Sequence, residues 1–96
     1  MVEQIPGLLV IEDEPITRAQ LVAHFEHEGY RVFARADAEG IEQLIITHQV
    51  DICLLDINLP GRDGLTVTRE LRGQSDVGII LVTSKGEQID RIIGLE

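Results

Sequence analysis

Three apolar runs end on residues that can do chemistry. Leu8 to Ile11 runs into Glu12-Asp13-Glu14, Ile52 to Leu55 into Asp56, and Ile79 to Val82 into Thr83-Ser84-Lys85. Two like charges about 4 Å apart repel by about 4 kcal/mol at an effective dielectric of about 20, so Asp13, Asp56 and Glu12 brought together need a cation. Hard carboxylate oxygens with no histidine or thiol beside them suit Mg2+, which keeps several waters and leaves positions open for phosphate oxygens. Asp56 then reads as a nucleophile whose anion the metal stabilises while offsetting charge on an incoming phosphoryl group. Thr83 and Ser84 add a hydroxyl and backbone N–H groups for phosphate oxygens. Acids after strands also cap helices, so Asp13 or Glu14 has a second reading as the cap of a helix opening at Pro15.

The elements that must position these groups follow from the spacing of apolar residues. Leu8–Ile11, Ile52–Leu55 and Ile79–Val82 do not alternate, which suits strands buried on both faces of a parallel sheet. Tyr30 to Ala34 alternates a little more and suits a strand nearer the edge. Between them lie helical stripes: Leu21, Val22 and Phe25 after Pro15, stopped by Gly29; Ile41, Leu44 and Ile45, entered through Asp37 as N-cap; Leu65, Thr68 and Leu71, ending near Gly73; and Ile89, Ile92 and Ile93, ending near Gly94. Strand and helix alternating four times predict an α/β fold with right-handed crossovers onto a parallel sheet. In such sheets ligands sit beyond the carboxyl ends of the strands, near the switch in strand order.

Composition narrows the class. Ninety-six residues make one small domain with one core. No apolar run approaches the roughly 18 residues that cross a bilayer, and "MVEQIPG" has no signal-peptide character, so a soluble cytoplasmic domain without membrane contact is expected. Seventeen acids against eight bases give a net charge of −9, which repels phosphate backbones and places any DNA contact outside this piece. Cys53, the one cysteine, lies inside an apolar run and reads as core filler. His24, His27 and His48 fall in or at the ends of helices away from the strand tips; His24 and His27, three apart, have the spacing of a metal chelate or of plain surface residues.

The segments "LLVIEDEP", "CLLDINLPGRDG", "IILVTS" and "DRIIGLE" together resemble the receiver domain of bacterial two-component response regulators, with the apolar residues and "DRIIGLE" similar to the OmpR/PhoB subfamily. The resemblance implies a flavodoxin-like, doubly wound parallel sheet of order 2-1-3-4-5. It also implies that Asp56 accepts a phosphoryl group from a phosphohistidine on a sensor kinase or phosphotransfer protein. Asp13 and Asp56 would bind Mg2+ directly, Glu12 through water and Asn58 through its backbone carbonyl, and Thr83 would turn its hydroxyl onto the phosphate. Ile16, Thr17 and Gln20 on the first helix become candidate partner contacts, with plain solvated face as the other reading.

Family members carry a further strand and helix after "GLE", with a phosphate-contacting lysine and an aromatic switch residue. Residues 1–96 therefore read as a receiver incomplete at its C-terminus, with order 2-1-3-4, and a DNA-binding output domain is expected beyond it. Lys85 follows the fourth strand and does not replace that lysine; it either shields the acyl phosphate or extends into solvent. Without a fifth strand, "GIILVT" is expected to present an apolar edge and to favour instability or self-association, including a homodimer. Two other classes also end a buried strand on an aspartate or share this outline. Haloacid-dehalogenase-like phosphohydrolases need an acid/base aspartate where this chain has Asn58, which cannot shuttle a proton. A receiver-like interaction module that never carries phosphate is the second.

Overall fold

Strands whose two faces are both apolar can be stable only between two layers, and the chain builds that arrangement. The computed structural model describes residues 5–59, 63–83 and 91–95. In chain order the elements are β1 (Gly7–Ile11), α1 (Pro15–His27), β2 (Arg31–Arg35), α2 (Ile41–His48), β3 (Ile52–Asp56), α3 (Gly64–Arg72), β4 (Gly78–Thr83) and β5 (Arg91–Leu95). One sheet runs β2-β1-β3-β4-β5. The first four strands are parallel, in the predicted order 2-1-3-4.

Alternate residues of each strand divide the core. Leu9, Ile11, Cys53, Leu55, Ile79 and Leu81 face one side and pack with Ile41, Leu44 and Ile45 of α2 and Val67 and Leu71 of α3. Leu8, Val10, Leu54 and Val82 face the other, where half-buried Leu21 and Phe25 of α1 lie against them. That division explains why the central runs show no polar alternation, and it makes Cys53 the filler expected of it, with burial pushing its thiol up to about 12. At the opposite end of the sheet from the acidic tips, Gly7 N–H donates to Asp51 Oδ2 at 2.8 Å, which ties the starts of β1 and β3 together.

Several expectations need correction. Asp37 does not cap α2: its Oδ1 accepts from Glu39 N–H at 3.0 Å in the preceding turn, and Gly40 occupies the cap in the left-handed region at φ 67°, where glycine carries no Cβ penalty. Leu65 is 51% exposed, and Val67 takes its place in the buried stripe of α3.

The larger correction concerns the C-terminal segment. Ile92 and Ile93, assigned to a fourth helix, lie instead in β5, antiparallel to β4 with Leu81 opposite Ile93 and Val82 opposite Ile92; Ile89 lies outside the described residues. β4 is therefore not the open edge expected, because β5 takes up its backbone groups. Adjacent β-branched isoleucines suit a pleated strand at least as well as a helix, and an unpaired apolar β4 provides the template.

Candidate functional site

The order β2-β1-β3 reverses direction between β1 and β3, since the chain crosses to one side for β2 and to the other for β3. A crevice opens at such a point beyond the carboxyl ends of the two strands. Parallel registry pairs Ile11 with Leu55, so Glu12 and Asp56 emerge side by side as the next residue of each strand. Glu12 is 4% and Asp56 5% exposed, whereas Asp13 is exposed. Ligand oxygens of Glu12, Asp13 and Asp56 lie within 4.8 Å of one another.

Local hydrogen bonds fix each group. Glu12 N–H donates to Arg35 O on β2 at 3.0 Å, and Glu12 Oε2 accepts from Glu14 N–H at 3.1 Å. Asp56 Oδ1 accepts from Asn58 N–H at 3.0 Å, which sets the carboxylate's direction. Ile57 N–H donates to Val82 O on β4, and Gly64 N–H to Ile57 O at 2.8 Å. The start of α3 thereby lies directly on the tip of β3. A Cβ built on Gly64 would stand 2.8 Å from Ile57 Cα and 2.9 Å from Asp56 O, so only glycine fits there.

Glu14 resolves the choice left open between caps and ligands. Its Oε1 accepts from Thr17 N–H at 2.7 Å, making it the N-cap of α1, and that bond lowers its carboxyl below the usual range. Asp63 caps α3 in the same way through Thr66 N–H at 2.8 Å, with its carboxyl likewise lowered by that bond. Glu12 moves the other way. Burial first, then the charges of Asp56 and Asp13, raise its carboxyl to about 7, against a lowering bond from Glu14 N–H. A carboxyl driven toward its neutral form by burial and by neighbouring anions is one whose charge a cation would restore.

The other predicted residues are placed as follows. Asn58 sits in the loop after β3 with an exposed side chain. Thr83 ends β4, one residue past Val82, which pairs with Asp56. Ser84 and Lys85 lie outside the described residues. Ile16 (68% exposed), Thr17 and Gln20 occupy the first turns of α1, beside the acidic loop. His24 and His27 are exposed on α1, and neither belongs to a potential metal-ligating cluster among the described residues. His48 stacks on Phe33 at 4.7 Å, at the C-terminal end of α2.

Two contributors escaped the sequence reading. Gly64 carries a weak signal, a glycine just inside a helix start where the chain has no need to bend. Arg18 carries none: its Nη1 donates to Glu12 O at 2.9 Å and reaches Asp13 O at 3.4 Å, contacts to main-chain atoms that no residue pattern announces.

With this geometry the comparisons with known proteins agree. Residues 8–96 match the response regulator receiver domain family. The chain is 49% identical over 89 residues to the TorCAD operon transcriptional regulatory protein TorR of Escherichia coli (strain K12), covering 93% of this chain and 39% of that protein. The crystal structure of the TorR receiver domain superposes with a TM-score of 0.76 at 46% identity, over 90% of this chain and 72% of that one. The Thermotoga maritima response regulator TrrA, solved in complex with Mg2+ and beryllium fluoride, gives a TM-score of 0.76 at 32% identity, over 85% of this chain and 72% of that one. The chain belongs to the response regulator receiver domains of two-component systems, of the OmpR/PhoB type.

Proposed function

We propose that Asp56 accepts a phosphoryl group from the phosphohistidine of a sensor kinase or phosphotransfer protein, and that Glu12, Asp13 and Asp56, with the carbonyl of Asn58, hold Mg2+ beside it. The observation that carries this reading is the convergence of Glu12, Asp13 and Asp56, whose ligand oxygens lie within 4.8 Å at the switch point of a parallel sheet. The donor set fits the ion: all three side chains offer hard oxygens, and Glu12 is pushed toward protonation first by burial and then by the charges of its neighbours. When bound, Mg2+ supplies a Lewis acid that offsets charge on the phosphoryl oxygens.

The rest falls to the chain's own residues. An oxygen of Asp56, its carboxylate oriented by Asn58 N–H, attacks phosphorus as the phosphorus–nitrogen bond of the donor breaks, and the imidazole leaves with a proton from solvent. Thr83, at the tip of β4 one residue past the partner of Asp56, and Ser84 after it meet the transferred oxygens. Ile16, Thr17 and Gln20 on the adjoining face of α1 receive the donor protein. The chain thus catalyses its own phosphotransfer and dephosphorylation and turns over no separate substrate.

The relatives are transcriptional regulators of which this chain spans 39%, so residues 1–96 act as the receiver of a longer cytoplasmic regulator that reaches DNA through an output domain elsewhere. No helix of the described residues is long and apolar enough to cross a membrane.

Incubation with Mg2+ and acetyl phosphate tests the reading by intact mass. The expected result is a gain of one phosphoryl group that disappears in Asp56→Asn and in Mg2+-free buffer. No gain in the parent chain would leave the receiver-like interaction module as the better account.

A further inference from the structure

We infer that Arg18 is a positioning residue for the cation site: by holding the carbonyls of Glu12 and Asp13, it fixes the backbone from which the Asp13 carboxylate is presented. The inference rests on the metal-binding reading above and deepens it.

Arg18 lies four residues past Glu14, the cap of α1, and its N–H makes an early bond of that helix, to Glu14 O at 2.9 Å. Side chains of helical residues lean toward the helix N-terminus. A long side chain one turn into α1 is therefore returned to the loop between β1 and α1. There Nη1 donates to Glu12 O at 2.9 Å and reaches Asp13 O at 3.4 Å. Because a peptide unit is planar, holding the first oxygen orients the plane between residues 12 and 13, and holding the second orients the plane between 13 and 14. Glu14 N–H, bonded to Glu12 Oε2 at 3.1 Å, holds that second plane from its other side. Both planes flanking Asp13 are thus fixed, and with them its φ and ψ. Asp13 is exposed, unlike Glu12 and Asp56, so its carboxylate takes its direction from this backbone rather than from surrounding core.

Donation by a charged group is about twice as strong as donation by a neutral one, and partners behind the ligands of a metal commonly change affinity by about 10- to 100-fold. Arg18 also brings positive charge near the site, which opposes a second cation. Positioning and charge therefore predict opposite signs for the same substitution.

Titration of the full chain with MgCl2, followed by amide NMR, separates the two effects. In Arg18→Ala the Mg2+ dissociation constant is expected to rise about tenfold, with chemical shifts outside the loop unchanged. Arg18→Gln, which keeps a donor without the charge, is expected to recover most of the loss, and raising Mg2+ about tenfold is expected to restore phosphorylation of Arg18→Ala by acetyl phosphate. Unchanged or tighter binding in Arg18→Ala overturns the inference, as does equal loss in the Ala and Gln variants. If Arg18→Ala does not fold, Arg18→Lys and Arg18→Gln carry the comparison, and tighter binding in Gln than in the parent overturns it. Absence of Mg2+ binding by the parent chain overturns the metal reading, and this inference with it, whereas a parent that binds and an Arg18→Ala variant that binds equally well overturns the inference alone.

Discussion

At the scale of single residues, Glu12 links the site to pH. Its carboxyl rises from 4.5 to about 7 in the fold, so the folded state holds this proton more tightly than the unfolded chain. The stabilisation is complete below pH 4.5 and is lost as pH rises through about 7. In Mg2+-free buffer the urea midpoint is therefore expected to fall across that window, and Glu12→Gln is expected to remove that part of the slope. Glu14 and Asp63 act in a separate window. Their lowered carboxyls stabilise the fold above their ordinary values of 4.5 and 3.8, and that contribution is lost as pH falls below them. In the proposed site Mg2+ would compete with the proton on Glu12, so its affinity is expected to weaken as pH drops below about 7, measured by titration at pH 5.5 and 8. Residue types alone pointed to Glu12, Asp13 and Asp56, because carboxylates that follow buried strands stand out against an apolar background. They do not show that Glu12 is the member that holds a proton, which depends on its burial in the fold and on the charges of Asp56 and Asp13 brought beside it.

Between elements, the junction of β3 and α3 decides whether the site forms. Gly64 lets the first turn of α3 rest on Ile57 and on the carbonyl of Asp56 itself. Gly64→Ala places a methyl group against backbone that cannot yield as a side chain can. It is expected to cost about 1–3 kcal/mol in urea unfolding and to slow phosphorylation of Asp56 by shifting the loop that carries Asn58. The elements themselves were largely legible. Leu8–Ile11 and Ile52–Leu55 read as buried strands because both faces of β1 and β3 are covered. Residue type limits the α1 cap to Asp13 or Glu14, and the bond from Thr17 N–H decides for Glu14. What failed was local. Asp37 has a cap's chemistry but spends it on Glu39 N–H, and Leu65 has a core residue's chemistry but starts its helix on the wrong side.

For the whole molecule, sheet order brings the carboxylates together, and it also explains the one misread element. Ile89, Ile92 and Ile93 carry a helical spacing, yet β4 offers a row of backbone groups to residues 91–95, and tertiary pairing outweighs a weak local preference. Breaking that pairing has a defined consequence. Ile93→Pro removes a backbone donor from β5 and is expected to expose β4, giving concentration-dependent association in sedimentation velocity, while Ile93→Val leaves the sedimentation of the parent unchanged. The central claim is that the tips of β1 and β3 hold one divalent ion beside the carboxylate that takes up phosphate. Crystals grown with Mn2+ in place of Mg2+ test it most directly, by anomalous diffraction at the manganese edge. A single peak within bonding distance of the Asp13 and Asp56 carboxylates is the predicted result, and a site that shows no peak at saturating Mn2+, or a peak bound by other residues alone, would contradict the account.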